Sequence, residues 1–180
     1  VLIVAAAGNS ASSAPLYPAA NDGVIAVSAV GPDKARAPYS SFGSFVDVAA
    51  PGGNLSRDLD GDGYVDGVLS TGGNDSGPRL NYVYPFFQGT SMAAPHVAGV
   101  LALMRAANEN MLPDVVDVLL ANGELTIPLG NQIGGRNDSF GYGLIDAYKA
   151  LSAALTAGDN PPAPRPWLGV NPSGLNFGAT

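Results

Sequence analysis

The sequence predicts an α/β fold: a parallel sheet with helices packed against it. Two kinds of pattern carry that expectation. Short apolar runs without clean polar alternation, each closed by Gly or Pro, read as strands buried on both faces. Later in the chain, apolar residues recur at helical spacing.

Val1-Leu2-Ile3-Val4-Ala5-Ala6-Ala7 is the first such run and ends in the turn Gly8-Asn9-Ser10. Val24-Ile25-Ala26-Val27-Ser28-Ala29-Val30 is the second, closed by Gly31-Pro32. Phe45 to Ala50 is the third, closed by Pro51-Gly52-Gly53. The aromatic stretch Tyr82 to Phe87 is expected to pair with Val68-Leu69-Ser70-Thr71 as a small antiparallel ribbon. Three helices follow. The first begins at or near Ser91, with Val97, Val100, Leu101 and Met104 at helical spacing and small residues elsewhere; Pro95 is expected to fall in its first turn, where a missing amide costs nothing. The second is opened by Pro113-Asp114 and closed by Asn122-Gly123, with Leu112, Val115, Val116, Leu119 and Leu120 as its stripe. The third, roughly Leu144 to Leu155, has Leu144, Tyr148, Leu151 and Leu155 along one side as its expected core face.

Three segments are expected: residues 1–155 as the α/β unit, a stiff proline-rich linker over 156–166, and the opening of a further β domain, of β-sandwich type, over 167–180. A chain that opens in mid-strand reads as the C-terminal portion of a longer one. With 180 residues, 46% of them hydrophobic, it can bury one good core. Fifteen acidic against 8 basic residues give a net charge of −7, and the basic residues are scattered, so no footprint for nucleic acid exists. Cysteine is absent, which excludes disulfides and thiolate metal sites and suits a secreted bacterial protein. The longest strongly apolar run, Val97 to Met104, falls far short of the ~20 residues of a membrane span.

The chemistry centres on Gly89-Thr90-Ser91-Met92-Ala93-Ala94-Pro95-His96-Val97-Ala98-Gly99. A serine where a tight turn enters a helix sits at the positive end of the helix dipole, where developing negative charge is favoured. Taken by position alone, Ser91 reads first as a helix cap, as most serines before helices do. The Gly-x-Ser-x-Gly pattern of other serine hydrolases is not met, because Ala93 stands where the second glycine belongs. The segment closely resembles the nucleophile motif of the subtilisin-like serine proteases, the subtilases. Ala6-Ala7-Gly8-Asn9 is similar to their oxyanion-hole segment, and the pieces Tyr17-Pro18-Ala19-Ala20, Tyr39-Ser40-Ser41-Phe42-Gly43, Val48-Ala49-Ala50-Pro51-Gly52 and Gly141 to Ala147 look like subtilase segments in family order.

The resemblance implies a serine endopeptidase in which Ser91 is the nucleophile and the Asn9 amide an oxyanion donor. It also implies that Ala6, Ala7, Gly8 and Thr90 line the substrate site. The family's catalytic aspartate and histidine lie in motifs upstream of the first strand. Asp22 and Asp47 match neither. His96, five positions after Ser91, is turned about 140° away from it on a helix and resembles a packing histidine of the family, not its base. The chain by itself is therefore expected to be inactive, with a protein or peptide substrate and the N-terminal half of the catalytic domain as its partners.

One stretch departs from the family. Asp58-Leu59-Asp60-Gly61-Asp62-Gly63-Tyr64-Val65-Asp66 resembles the front of an EF-hand-type loop, with Asp58, Asp60, Asp62, the Tyr64 carbonyl and Asp66 as calcium ligands. Leu69 stands where the bidentate acid belongs, and an exposed Asp/Gly turn is the plainer alternative. Two rival functions remain: a non-catalytic, calcium-stabilised binding scaffold, and a different serine hydrolase such as an esterase.

Overall fold

A computed structural model describes residues 1–77, 79–132 and 135–157; the expected linker beyond Ala157 and the expected further β domain lie outside these residues. A five-stranded sheet has the order β1 (Ile3–Ala6), β2 (Val24–Val30), β3 (Val48–Pro51), β9 (Leu144–Ile145), β8 (Thr126–Ile127). The first four run parallel, with Ile3 opposite Val24, Val27 opposite Val48 and Ala49 opposite Leu144; β8 pairs antiparallel with β9. Helix α1 (Thr90–Ala107) lies across β1, β2 and β3 and packs against α3 (Ala147–Thr156). The core joins Val27, Ala29, Val48 and Ala50 of the sheet to Val97, Leu101 and Met104 of α1, with Val115 and Leu119 of α2 (Pro113–Ala121).

β2 has the expected limits and is buried on both faces, as its continuous apolar run requires. Its neighbours differ from expectation. β1 is shorter than Val1 to Ala7 and is half-exposed, because it is the edge strand of this sheet. β3 begins at Val48 rather than Phe45. The cause is Asp47, whose carboxylate takes the Ala26 amide at 2.8 Å in place of a ladder carbonyl. The expected aromatic ribbon forms in two pieces. β4 (Val68–Leu69) pairs with β7 (Phe86–Phe87), and β5 (Gly72–Asn74) pairs with β6 (Asn81–Val83). Pro85, which has no amide to donate, lies at the break, and its carbonyl still accepts from Ser70 N–H at 3.1 Å.

The helices show two further differences. α1 starts at Thr90, so Pro95 is its sixth residue and stands beyond the first turn; the Ser91 carbonyl is left without its helical donor. In α3 two members of the expected core stripe point outward, Tyr148 82% and Leu155 67% exposed, and Leu151 is half-buried, while Ala150, Ala153 and Ala154 are buried. Leu144 is not in the helix at all but in β9. α3 packs against α1, and the residues it buries fully are all alanines. Asp146 caps α3 by accepting Lys149 N–H at 2.8 Å.

Candidate active site

Asn9 and Ser91 are brought together although 82 positions separate them. β1 runs out through buried Ala7 and Gly8 to Asn9, at the carboxyl end of the parallel strands. α1 begins at the same end, because its amino terminus is tied to the turn after β3: Gly89 N–H donates to Gly52 O at 2.9 Å and to Tyr39 Oη at 3.0 Å. Tyr39 Oη in turn donates to the Gly52 and Gly53 carbonyls at 2.8 and 2.7 Å, sharing one proton between them. Burial pushes the Tyr39 phenol above its usual range, against the lowering effect of the Gly89 amide, so it stays a neutral donor. No side chain fits at Gly52, since a Cβ there would stand 2.4 Å from Ala29 Cβ and 2.8 Å from Gly89 O.

Thr90 is the hinge of the site. It is fully buried, and its hydroxyl accepts Gly8 N–H at 3.2 Å while donating to Asn9 Oδ1 at 2.9 Å. Thr90 N–H donates to the same Asn9 Oδ1, also at 2.9 Å. Two donors on one oxygen fix which end of the amide is which, so Nδ2 must point away from Thr90. It makes no hydrogen bond among the described residues.

Ser91 follows, exposed, as the second residue of α1, where the backbone amide has no intrahelical partner. Gly89 has φ 150°, and a Cβ added to it would stand 3.6 Å from Asn9 Nδ2 and 3.6 Å from Ser91 N. Both nitrogens therefore border the space beside Gly89 that a side chain would fill, as does Met92 Sδ at 3.7 Å. An anionic oxygen placed there would meet a side-chain N–H, a main-chain N–H and the positive end of an 18-residue helix.

The other expected site residues are placed as follows. Ala6 is half-buried, whereas Ala7 and Gly8 are buried. Thr90 presents no surface, and its hydroxyl is fully engaged. His96 is exposed rather than packed, and its Nδ1 pairs with the Met92 carbonyl at 2.8 Å. Asp22 and Asp47 precede β2 and β3; by register Asp47 is level with Ala5, roughly 13 Å along the strands from Asn9, and Asp22 is level with Val1, roughly 26 Å from it. Burial first of all pushes the Asp47 carboxyl up to about 6; the Ala26 amide and Arg136 oppose this, and Asp117 adds to it. Asp58, Asp60 and Asp62 offer carboxylate oxygens that all lie within 4.8 Å of one another, and this cluster could hold a metal ion. Asp66 is directed instead at the Leu59 amide, 2.9 Å away. The role of Tyr39 was not read from the sequence; only its place in a family-like segment pointed toward it.

The sequence model of the subtilase family matches residues 1–143. This chain belongs to the subtilase family. It is 36% identical over 155 residues to an extracellular protease of Xanthomonas campestris pv. campestris, covering 85% of this chain and 24% of that protein. It is 33% identical over 150 residues to thermitase of Thermoactinomyces vulgaris, covering 83% of this chain and 44% of that one. Among solved structures, a protease from Pseudoalteromonas arctica superposes with a TM-score of 0.67 at 40% identity, over 83% of this chain and 41% of that chain. A lanthipeptide protease gives 0.65 at 29% identity, over 84% and 50%. The chain thus spans half or less of each of these relatives. Among the described residues no helix is long and apolar enough to cross a membrane.

Proposed function

We propose that this chain supplies the nucleophile and the oxyanion hole of a secreted serine endopeptidase, and that an aspartate and a histidine outside it complete the triad. The observation that carries this reading is the clamp of Thr90 on Asn9 Oδ1, which turns Nδ2 away from Thr90 and leaves it bordering the same space as Ser91 N. Ser91 Oγ attacks the peptide carbonyl while the external base takes its proton. The carbonyl oxygen becomes an anion held by Asn9 Nδ2 and Ser91 N–H. Collapse expels the amine, which receives the proton, and leaves an acyl group on Ser91 that water then hydrolyses. Ala6 borders the substrate, while Ala7, Gly8 and Thr90 hold the walls and the amide in place. Without the external base, the chain alone does not turn over.

A fluorophosphonate probe tests this. The complete protein should label, and its Ser91→Ala variant and residues 1–180 alone should not. A folded, complete protein that fails to label would favour the non-catalytic scaffold instead. Secretion is supported by the names of the relatives, several of which are called extracellular.

The same reading places calcium in the Asp58–Asp60–Asp62 loop, in a structural role. Oxygens within 4.8 Å of each other can share one ion, because two ligands at about 2.4 Å from calcium are at most about 5 Å apart. The Tyr64 carbonyl and Asp66 are the remaining ligands proposed, Asp66 after release from the Leu59 amide. Chelation should lower the melting temperature of the protein, and Asp60→Asn should remove that response. Calorimetry that detects no binding at millimolar calcium would rule the site out.

A further inference from the structure

The hairpin between β3 and α1 takes no part in the chemistry above, yet its last strand runs directly into the nucleophile turn. Its base is tightly held. Asn54 N–H donates to Asp66 O at 2.7 Å, Gln88 Oε1 accepts Leu55 N–H at 2.8 Å, and the Tyr64 ring lies against Phe86 at 5.9 Å. The outer part is different: Leu69, Leu80, Tyr82 and Tyr84 are each more than half exposed. Between Gly67 and Gln88 only Asp75 and Arg79 are charged. Tyr82 stands opposite Gly73, and Leu80 covers the same glycine, approaching within 3.0 Å of where its Cβ would be. No side chain from β5 therefore screens the tyrosine. β5 and β6 also form a sheet of two strands only, which leaves the outer edge of each unpaired.

We propose that this face of the hairpin binds an extended, apolar stretch of the polypeptide being cut, flanking the bond that Ser91 attacks. The inference rests on the protease reading. Continuity with the nucleophile selects the occupant. Phe87 is four residues and Tyr84 seven residues before Ser91, so they lie within about 14 and 25 Å of it, the span of a few extended substrate residues. Exposed backbone edges offer pairing to an extended chain, and the tyrosines and Leu80 offer apolar surface for its side chains. The fixed base keeps both in a constant relation to the scissile bond.

The test uses the complete protein and three forms of it: wild type, Tyr82→Ser/Tyr84→Ser and Tyr82→Phe/Tyr84→Phe. Each is assayed on a short chromogenic peptide and on a longer quenched peptide in which the same residues are flanked by Leu- and Phe-rich segments. The serine variant should lose about 5- to 20-fold in kcat/KM on the long substrate, through KM, and change less than about twofold on the short one. The phenylalanine variant should keep wild-type values on both. Unchanged kinetics on the long peptide, or equal losses on both, would overturn the inference. So would a shift of oligomeric state in light scattering with unchanged kinetics, which would assign the face to a second copy of the chain. A wild-type protein that cleaves neither peptide and does not label at Ser91 would remove the protease reading itself, and this inference with it.

Discussion

Thr90→Val isolates the contribution of the buried hydroxyl that orients Asn9. Valine keeps the shape of threonine and keeps the Thr90 N–H bond to Asn9 Oδ1, but it deletes the 2.9 Å bond from the hydroxyl. It also deprives the buried Gly8 N–H of its 3.2 Å acceptor. An unsatisfied buried amide costs about 1–3 kcal/mol, so the melting temperature should fall. The effect on catalysis is separate. With one of its two anchors gone, the Asn9 amide can rotate away from the oxyanion position. Complete loss of such a donor costs about 10²- to 10³-fold in kcat; that magnitude was measured on a subtilisin, a member of this same family. Losing one anchor of about 1 kcal/mol should therefore cost about 5- to 10-fold in kcat with little change in KM. Steady-state hydrolysis of a peptide substrate by the complete protein measures this, with Thr90→Ser retaining activity. The decisive comparison is made in an Asn9→Ala background, where Thr90→Val should cost no further activity because there is no amide left to orient. Independent, additive losses would refute the proposed coupling.

Asp47→Asn should flatten the pH dependence of stability. The folded carboxyl titrates near 6, against 3.8 when solvated, so between those values the unfolded chain ionises first and stability falls as pH rises. Below that window the full contribution is present, and above it about 2–3 kcal/mol has been lost; asparagine keeps the acceptor for Ala26 N–H, and urea titrations from pH 3 to 7 should show a smaller fall than wild type, with Asp117, whose carboxyl is likewise pushed up by burial, supplying part of what remains. Ala154→Leu should destabilise by about 1–3 kcal/mol through overpacking against α1, whereas Leu155→Ser should lie within about 0.5 kcal/mol of wild type. The reverse order in thermal melts would mean that α3 faces the other way. Gly52→Ala should lower both stability and labelling at Ser91, because its Cβ displaces Gly89 O and Tyr39 Oη, 2.8 and 2.9 Å away, and with them the start of α1. A variant that labels at the wild-type rate would show that this contact does not position the nucleophile.

Much of the fold was legible because burial writes itself into composition. β2 is recovered with its limits, since only a strand covered on both faces tolerates seven residues without a charge. α2 is recovered because Pro113 at its start and Asn122-Gly123 at its end are local signals that need no partner. The errors arise where a partner decides. Asp47 trims β3 through a bond to Ala26, a residue 21 positions earlier. In α3 two faces have periodic apolar residues, and the one bearing the larger side chains was expected inside. The face that α1 covers is the one bearing the alanines. β8 and β9 are two residues each, too short for any periodicity to register.

The active site divides along the same line. The sequence by itself determined the family and singled out Ser91 and Asn9 as the candidate residues, because an eleven-residue motif and a four-residue strand end are local strings that survive without their context. What only the tertiary structure decided is how the two act on each other. Chain order says nothing about Thr90 grasping Asn9 Oδ1, or about Tyr39 and Gly52 holding Gly89. These are contacts between segments about 30 to 80 residues apart, and their geometry is set by a parallel sheet that delivers the end of β1, the turn after β3 and the start of α1 to the same edge.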